Sequence, residues 1–485
     1  MAMPPILRWI VPLAVVLAGC SIPPKPDAPT LRMEAPLAGV PAQAGQSWPA
    51  ADWWKQYGDA QLDTLEAKAL EGAPSLNEAS ARFGTAEKSI DIARAEAGVS
   101  IDGNAQFQRQ RLSETGLIPP AFLGFTWYNQ ADLGVQFRYD FDFWGKQRAA
   151  IEAAVDEARA AEAESAAAVL MLTTAVADTY FGWQADQARL ALATALVENL
   201  ERNRKLAGLR VARGIEPPDT VHAADGQLAN AREQKAAIVG SAQMRRAALA
   251  ALLGVAPAEL PELEAKPLPA VAGGLPADAR LDLIARRPDI AASRWRIEAA
   301  LRRVDQARAE FYPDLNLTAL AGLSSIDMDQ FLTTGSRVFN VSPALHLPIF
   351  AGGRLKARFG ASKAQLDAAV AQYDSAVVSA ARDTATQALN LQQIDARRVE
   401  RAAQIAATEA LQDAAQARAR RGLTDDRSVL AAEAQLLQQR DAATALDAQA
   451  ISADISLTKA LGGGYRFEAP PQTDSTQSVS QAGSR

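Results

Sequence analysis

An internal duplication is the feature that most constrains how this 485-residue chain can fold. Pro74-Ser75-Leu76 lines up with Pro288-Asp289-Ile290 at an offset of about 214 residues, and Gly145 lines up with Gly353 at an offset of about 208. The repeat is much longer than the unit of a solenoid protein. It predicts that one set of helices and strands was duplicated and that both copies form the same structure.

Each copy contains two segments in which apolar and polar residues alternate. They predict one strand pair over about residues 99–143 and a second over about residues 314–350. Strict alternation over about ten residues is typical of a strand with one apolar face and one wet face. The polar positions of the best-defined strand are expected to line the lumen of a barrel: Gln136, Arg138, Asp140 and Asp142.

A glycine and a basic residue follow each strand pair, and a long helix is predicted after them. Residues 146–213 and 354–421 lack proline and are rich in Ala, Leu, Gln, Glu and Arg, which favour helix. At 1.5 Å per residue, a helix of roughly 68 residues reaches about 100 Å. A second helix returns from each, so the helical hairpins are expected over residues 146–254 and 354–462. Helices of this length must pack side by side as coiled coils.

The first twenty residues predict export from the cytoplasm. Arg8 precedes a short apolar stretch, Ile10 to Leu17, which is too short to span a bilayer and therefore fits a secretory signal over residues 1–19. Leu17-Ala18-Gly19-Cys20 resembles a bacterial lipobox. That resemblance implies cleavage before Cys20, lipidation of its thiol and stable anchoring to a membrane by two or three acyl chains.

Composition argues against an enzyme and against a nucleic-acid-binding protein. The net charge is −6 and the sequence pI is about 5.3, so no basic surface is expected. The two histidines, His222 and His346, lie far apart and have no metal-ligand spacing around them. The sequence also has no glycine-rich phosphate loop and no nucleophile elbow. We therefore expect no catalytic residue, no metal and no cofactor.

The strands predict an assembly of several chains. A strand that contacts lipid on one face must belong to a closed barrel, because every backbone group in lipid has to be paired. The smallest barrels have about eight strands, whereas one chain supplies four. Three chains supply twelve, which leaves an open lumen. The fold class expected is a mixed α+β membrane protein, with a homotrimeric twelve-stranded transmembrane β-barrel and a wall of coiled α-helices.

Several motifs resemble those of the TolC-like outer-membrane factors, and more narrowly the lipoprotein branch that serves multidrug efflux. The resemblance covers roughly Trp53 to Tyr465. It is carried by Leu17-Ala18-Gly19-Cys20, Arg287-Pro288-Asp289-Ile290, Phe311-Tyr312-Pro313-Asp314-Leu315, Gly352-Gly353, Arg421-Gly422 and Leu461-Gly462-Gly463-Gly464. It implies a trimeric barrel in the bacterial outer membrane, continuous with an α-helical barrel across the periplasm. It also implies a periplasmic adaptor protein and an inner-membrane pump of the resistance–nodulation–division type as partners.

The predicted segments follow this architecture in order. They are the signal peptide 1–19, a lipidated tether 20–58, a first repeat 59–254, a linker 255–275, a second repeat 276–465 and a disordered tail 466–485. Trp48, Trp53 and Trp54 are expected to fix the tether to the body of the protein rather than to bind a ligand.

The turns between the long helices are the expected site of a gate. In a trimer, Asp425 and Asp426 would form rings of carboxylates, and Arg427 would pair with them between chains. Helix capping explains the same aspartates without a gate, and the two interpretations stand equal for Asp425 and Asp426. For Asp219 capping is favoured. Members of the family that this chain resembles often have the gate aspartate deeper in the returning helix, where this chain has Ala431 and Ala432.

The same turns are the expected docking surface for an adaptor. The resemblance implies that Arg213, Gly214, Arg421 and Gly422 take part. An ordinary helix C-terminus, with glycine in a left-handed conformation and arginine near the negative end of the helix, explains these residues equally well.

The function implied is that of an exit channel that conducts drugs or other small molecules from adaptor and pump to the outside. One alternative is the outer-membrane duct of a type I protein secretion system. A second alternative is a lipid-anchored periplasmic coiled-coil scaffold without a channel, although a scaffold has no use for strands with one apolar face.

Overall fold

The structure, a computed structural model, describes residues 22–37, 39–40, 47–115, 120–271 and 273–467. It divides into two compact units, which are described separately. Unit 1 contains Arg82–Ala161, Ser293–Tyr373 and the described residues up to Leu31. Unit 2 contains Arg32–Ala81, Glu162–Ala292 and the described residues from Asp374 onward.

The same order of long elements occurs twice along the chain. The first copy comprises α1 (Ala60–Gly72), α2 (Pro74–Glu96), β1 (Ser100–Arg111), the single turn α3 (Pro120–Leu123), β2 (Trp127–Phe141), α4 (Lys146–Ala212) and α5 (Asp219–Leu253). The second comprises α6 (Ala279–Arg286), α7 (Pro288–Ala309), β3 (Asp314–Ser325), β4 (Arg337–His346), α8 (Arg354–Arg420) and α9 (Asp426–Ala460). Short 3-10 helices cover Trp53–Tyr57, Met328–Gln330 and Thr334–Ser336.

The duplicated helices have equal lengths. Both α4 and α8 contain 67 residues, and both α5 and α9 contain 35. The helical hairpins that the absence of proline predicts are therefore present, and their ends lie within a residue or two of the expected positions. Pro288 is the first residue of α7, a position where its missing N–H has no intrahelical partner in any case.

The four strands of unit 1 form one antiparallel sheet in the order β1-β2-β3-β4. Its central contact joins the two copies, because β2 of the first copy pairs with β3 of the second. Gly134 and Gly322 lie opposite each other in that pairing. A side chain at position 322 would lie 2.3 Å from the carbonyl oxygen of Leu133, so glycine allows the strands to approach.

The second and fourth strands end earlier than the alternation predicts. β2 ends at Phe141, so Phe143 lies outside it, and β4 ends at His346, so Leu347 and Ile349 lie outside. Beyond the end of β4, Pro348 has no backbone N–H to donate to a neighbouring strand, so a longer β4 would lack a hydrogen bond there.

The helical part of unit 1 is packed through small side chains. Four alanines of α4 are buried there: Ala149, Ala153, Ala158 and Ala160. They lie in the same unit as Ile297 and Val304 of α7, which are also fully buried. Ion pairs join α7 to α4, Arg302 to Glu152 at 3.2 Å and Arg303 to Glu157 at 2.8 Å.

Unit 2 has an apolar core formed by four helices. Leu62 and Leu65 of α1 pack with Val176 and Tyr180 from the middle of α4, and the ends of α5 and α9 add Leu249, Leu253, Ile451 and Ile455. By length and composition α4 is apolar enough to cross a membrane. Part of its middle, including Leu172 and Val176, is buried in this core.

Segments outside the long elements are also fixed to unit 2. Trp53 is 3 % exposed within the core, as expected for the tether. Lys266, in the segment expected as a linker, contacts the Asp59 carboxylate at 2.8 Å. Phe467 lies in the segment expected as a disordered tail, but its backbone N–H donates to the Ala285 carbonyl oxygen at 2.8 Å. The tail prediction is therefore wrong for this residue, and residues 468–485 lie outside those described.

Candidate functional site

The strand register separates apolar and polar side chains onto two faces of the sheet. One row across all four strands reads Ile101, Phe137, Ala319 and Val341. The adjacent row reads Asp102, Gln136, Leu320 and Asn340. Residues paired across an antiparallel ladder point to the same face. The alternation read from single strands therefore holds across the middle of the sheet, and Leu320 and Val338 are apolar exceptions on the polar face.

The apolar face of the sheet is exposed in the single chain. Phe339 is 76 % exposed, Val341 68 % and Ile101 67 %. These residues lie on β1 and β4, which are the two edges of the sheet. A sheet of this kind lacks both a cover for its apolar face and partners for its edge backbone groups.

Three of the four predicted lumen residues lie on the polar face. Gln136, Arg138 and Asp140 are in β2, and Arg138 lies opposite Ser100 and Thr318. Asp142 follows the end of β2, so the prediction that it lies in the strand is wrong, whereas its place in the lumen stays a prediction. Its carboxylate accepts the backbone N–H of Arg148 at 2.9 Å and so satisfies one of the unpaired donors in the first turn of α4.

A polar cavity of about 320 Å³ lies where the polar face meets the helices of unit 1. Its lining includes Asp140, Asp142, Lys146, Asp314 and His346. Three carboxylates in this position make the helix end of the polar face acidic, although Lys146 offsets part of the charge.

The long helices α4 and α8 end in the same way, each at a glycine of the turn that follows it. Gly214 has a φ of 69° and Gly422 a φ of 70°, the left-handed region that glycine adopts without strain. The residue after each glycine donates its N–H to a carbonyl oxygen five residues earlier, Ile215 to Arg210 and Leu423 to Arg418. Both helices therefore end in a Schellman motif, as the capping interpretation of these glycines predicts.

An ion-pair network in unit 2 connects the two turns. The Glu216 carboxylate oxygen Oε1 lies 2.9 Å from Arg210 Nε and 2.6 Å from an Arg427 nitrogen. The Nη1 nitrogen of Arg210 lies 3.2 Å from Asp425 Oδ2. Glu216 is mostly shielded from solvent, and its Oε2 is buried without a hydrogen-bond partner. One carboxylate from the first turn thus holds two arginines, one from α4 and one from α9.

The residues expected at the gate make the following contacts in the structure. Asp425 is the N-cap of α9, and its side chain accepts from the backbone N–H of Ser428, so the capping interpretation holds for it. Arg427 pairs with Glu216 of its own chain, and its expected pairing with Asp425 and Asp426 between chains stays a prediction. Asp426 is the first residue of α9. Asp219 is the first residue of α5 and follows the N-cap Pro218, so the prediction that Asp219 caps is wrong.

Sequence reasoning missed Glu216, and no sequence signal marks it. The duplication aligns it with Thr424, which carries no charge, and no spacing rule connects it with Arg427.

The docking residues expected from the sequence lie on the exposed ends of the hairpins. Arg213, Gly214, Arg421 and Gly422 are all exposed. The following residues, Ile215 at 57 % and Leu423 at 71 % exposure, add two apolar side chains to the same turns.

Polar contacts and a small apolar cluster that includes Leu196 and Leu228 connect the long helices of unit 2 along their length. Arg189 of α4 makes a two-point ion pair with Asp441 of α9, at 2.8 and 3.1 Å. A cavity of about 480 Å³ lies beside this pair. Arg398 of α8 contacts Asp447 of α9 at 3.0 Å. Such pairs fit a helical wall that is wet on both sides.

Burial shifts the pKa of several acids in the core of unit 2. Burial, followed by the charge of Asp63, raises the pKa of Glu66 to about 9, and neither carboxylate oxygen has a hydrogen-bond partner. Burial also raises the pKa of Asp454, although a hydrogen bond from the Tyr57 hydroxyl opposes it. At Asp59, burial alone would raise the pKa of the carboxyl. Hydrogen bonds from Lys266, Tyr180 and the Gln61 backbone outweigh burial, so the pKa is lowered.

Within the described residues, no group of three or more His, Cys, Asp and Glu side chains lies close enough to hold a metal ion. Cys20, the expected lipidation site, lies outside the described residues.

These features define a class of protein. A sheet with an exposed apolar face and a polar face, joined to paired helices of 67 and 35 residues, is typical of an outer-membrane channel with a periplasmic helical extension.

Comparison with known proteins identifies the family. The family model described as outer membrane efflux protein matches residues 65–255 and 281–463. The chain is 35 % identical over 471 residues to the multidrug resistance outer membrane protein MdtP of Escherichia coli, covering 95 % of this chain and 96 % of the relative.

Solved structures agree with this family. The outer membrane protein VceC of Vibrio cholerae superposes with a TM-score of 0.77 at 34 % identity, covering 86 % of this chain and 100 % of VceC. The open state of the MtrE outer membrane channel of Neisseria gonorrhoeae gives a TM-score of 0.75 at 26 % identity, covering 92 % and 97 %. The chain belongs to the outer membrane efflux protein family, the TolC-like outer-membrane factors, and its function is that of an outer-membrane efflux channel.

Proposed function

We propose that three copies of this chain form a twelve-stranded barrel in the outer membrane, continuous with a helical barrel in the periplasm. The assembly conducts drugs or other small molecules that a periplasmic adaptor and an inner-membrane pump deliver to it. The name of MdtP, a multidrug resistance outer membrane protein, supports drugs as the substrate class.

The observation that most strongly supports a trimer is that the sheet has an exposed apolar face and two unpaired edges. Lipid covers the apolar face only if the edges are paired, because an open edge in hydrocarbon leaves backbone groups without partners. Pairing β4 of one chain with β1 of the next closes a ring, and three chains give the twelve strands.

Cys20 supports an additional anchor. Its position after Leu17-Ala18-Gly19 fits transfer of a diacylglycerol to the thiol once residues 1–19 are removed. The acyl chains would hold the tether at the inner surface of the outer membrane.

The Glu216 network is our proposal for the closed state of the gate. Its ion pairs hold the α4–α5 turn against the start of α9, so both hairpins of a chain keep their position at the far end of the tube. Opening moves the hairpins apart and breaks the ion pairs of Glu216 with Arg210 and Arg427. The Glu216 carboxylate is largely shielded from water, so breaking these pairs costs free energy. Asp425 takes part through Arg210, and Asp426 remains a candidate for a carboxylate ring on the lumen side.

For the adaptor we propose the exposed helix turns as the docking surface. Ile215 and Leu423 supply apolar contacts, and Arg213 and Arg421 supply charge beside them, in the same order in both copies. Six such turns in a trimer present nearly equivalent sites to an adaptor.

The test begins with full-length protein extracted from outer membranes in detergent. Native mass spectrometry should give a trimer with acyl groups on each chain, and a planar bilayer should acquire discrete channels. A C20S variant should lose the acyl mass and keep the channels. A monomer without conductance would contradict the proposal and favour the scaffold.

Efflux and protein secretion are separated in cells. Deleting the gene should lower the minimum inhibitory concentration of several unrelated drugs and leave secreted polypeptides unchanged. The opposite pattern would favour the secretion duct.

A further inference from the structure

Charged side chains are distributed unequally over the two faces of the sheet. Among the strand residues that the structure describes, the only charges on the apolar face are three arginines, Arg109 and Arg111 in β1 and Arg337 in β4. The polar face carries both signs along its length, for example Asp102 and Arg138. The apolar face therefore carries one sign of charge only.

Arg109 and Arg111 lie at the loop end of β1, and Arg337 lies in the row of Ala105, four residues closer to the helices than Arg109. Arg111 is the last residue of β1 and lies opposite Trp127, the first residue of β2. Arg337 is the first residue of β4 and lies opposite Leu323. At the Arg111 end of the sheet the strands are joined by loops, whereas at the other end β2 and β4 lead into the long helices. Since the helices extend into the periplasm in the proposed channel, the Arg111 end faces the outside of the cell.

The surroundings of these arginines leave their charge available. The Arg109 guanidinium lies 5.6 Å from the ring centroid of Trp127, a contact that keeps the charge at the boundary between apolar surface and water. Arg111 has one acidic partner, Glu114, at 3.0 Å. The Arg337 side chain has no ion pair or hydrogen bond with any described residue. All three arginines are exposed.

The arginines lie on the two strands that meet in the assembly. β1 and β4 are the outer strands, so Arg109 and Arg111 lie at one edge and Arg337 at the other. In the twelve-stranded barrel, β4 of one chain pairs with β1 of the next. Each of the three seams then carries three arginines and one acidic partner, Glu114. This step rests on the proposed trimer.

We propose that each seam binds the phosphate groups of lipopolysaccharide, the anionic lipid of the outer leaflet. Guanidinium groups bind phosphate oxygens in pairs of parallel hydrogen bonds. The apolar face beside the arginines covers the acyl chains of the same molecule, and Trp127 lies at the level between the two. Hydration alone explains a charge at the rim, but it has no preference for sign and would accept Asp or Glu equally well.

Native mass spectrometry of the full-length trimer, with lipid A bearing two phosphates as the added probe, tests this proposal. Each arginine is expected to contribute about fivefold to the affinity, so R109Q/R111Q/R337Q should bind about a hundredfold more weakly. The matched control is R138Q, which removes an arginine from the polar face of the same sheet and should leave the affinity unchanged. The triple lysine variant R109K/R111K/R337K keeps the charge without the paired hydrogen bonds, so its affinity should lie between that of the parent and that of the glutamine variant.

The same spectra separate this inference from the proposed function. A trimer whose triple glutamine variant binds the lipid as tightly as the parent would overturn the arginine site and leave the channel intact. Equal binding of lipid A without phosphates, or of phosphatidylglycerol, would overturn lipopolysaccharide as the ligand. A monomeric parent protein would overturn the proposed trimer and this site together.

Discussion

The sheet of unit 1 and the helical unit 2 treat polar side chains in opposite ways. In the sheet, polar residues such as Gln136 and Asn340 share one face, and the other face is apolar except for its arginines and a few uncharged polar residues. In unit 2, charged residues are turned toward each other, as in the pairs Arg189–Asp441 and Arg427–Glu216, or are buried alone, as Glu66 is. A polar residue of the sheet has only to lie on the correct face, whereas a charged residue of unit 2 has to meet a specific partner. Substitutions should therefore fail for different reasons in the two regions.

The largest effect is expected from a charge on the apolar face of the sheet. Val135→Arg puts a guanidinium on the lipid side of β2 near the middle of the strand, at a cost of about 2–4 kcal/mol per chain if it lies near the bilayer midplane. The amount of trimer in isolated outer membranes should fall strongly. The matched control is Gln136→Arg, one residue along, which should assemble normally and change only conductance and ion selectivity. Equal assembly of both variants would contradict the two-face account.

The second effect is expected at the turns. Glu216→Gln removes the charge that holds Arg210 and Arg427, so the conductance of the resting channel in a planar bilayer should rise several-fold. Glu201 provides the control, because it too pairs with an arginine. Its partner is Arg232 of α5, at 2.6 Å, and this pair lies on an exposed surface. Glu201→Gln should leave the conductance unchanged. A Glu216→Gln channel that stays closed would remove this network from the gate.

The third effect concerns the buried acid Glu66, whose pKa is raised to about 9 from 4.5. The folded chain holds this proton more tightly than the unfolded chain does. The stability that Glu66 contributes is therefore complete below pH 4.5 and is lost as the pH rises toward 9.

Glu66→Gln should remove this pH dependence. At pH 8 the variant should be more stable than the parent by about 1–3 kcal/mol, measured as a higher temperature of unfolding. At pH 5 the two should be nearly equal. Glu71→Gln, on the exposed surface of the same helix, is the control and should match the parent at both pH values. A parent protein whose stability does not fall between pH 5 and 8 would contradict the burial of a neutral acid here.

The smallest effect is expected at the N-cap of α9. Asp425→Ala removes the side chain that accepts from Ser428 and should cost about 1 kcal/mol. Asp219→Ala, at the corresponding turn of the first copy, removes no cap and should cost less than half as much. Guanidinium denaturation of the two variants gives the comparison, and equal losses would contradict the asymmetry between the turns.

Most of the fold was predictable because its signals are local. The period of two gives the strands, the absence of proline gives the helices, and Gly214 and Gly422 give the helix ends. The sequence predicted these elements to within a few residues, although β4 ends before the alternation does.

The partners of individual side chains were not predictable. Glu216 and Arg427 are 211 residues apart in sequence, and the pair depends on how two hairpins meet. Asp142 continues the polar alternation of β2, yet its side chain caps α4. Periodicity alone does not show where the strand ends and the segment before the helix begins. Burial of Glu66 was likewise invisible in the amphipathic pattern of α1.

The central claim is that lipid contacts one face of this sheet and water the other. Its most direct test is spin labelling at single cysteines introduced one at a time from Leu133 to Tyr139, in a C20S background that has no other cysteine, with the protein in liposomes. Collision rates with oxygen should peak at 133, 135, 137 and 139, and collision rates with a water-soluble nickel complex should peak at 134, 136 and 138. Two profiles that rise and fall together, or that show no period of two, would contradict the account.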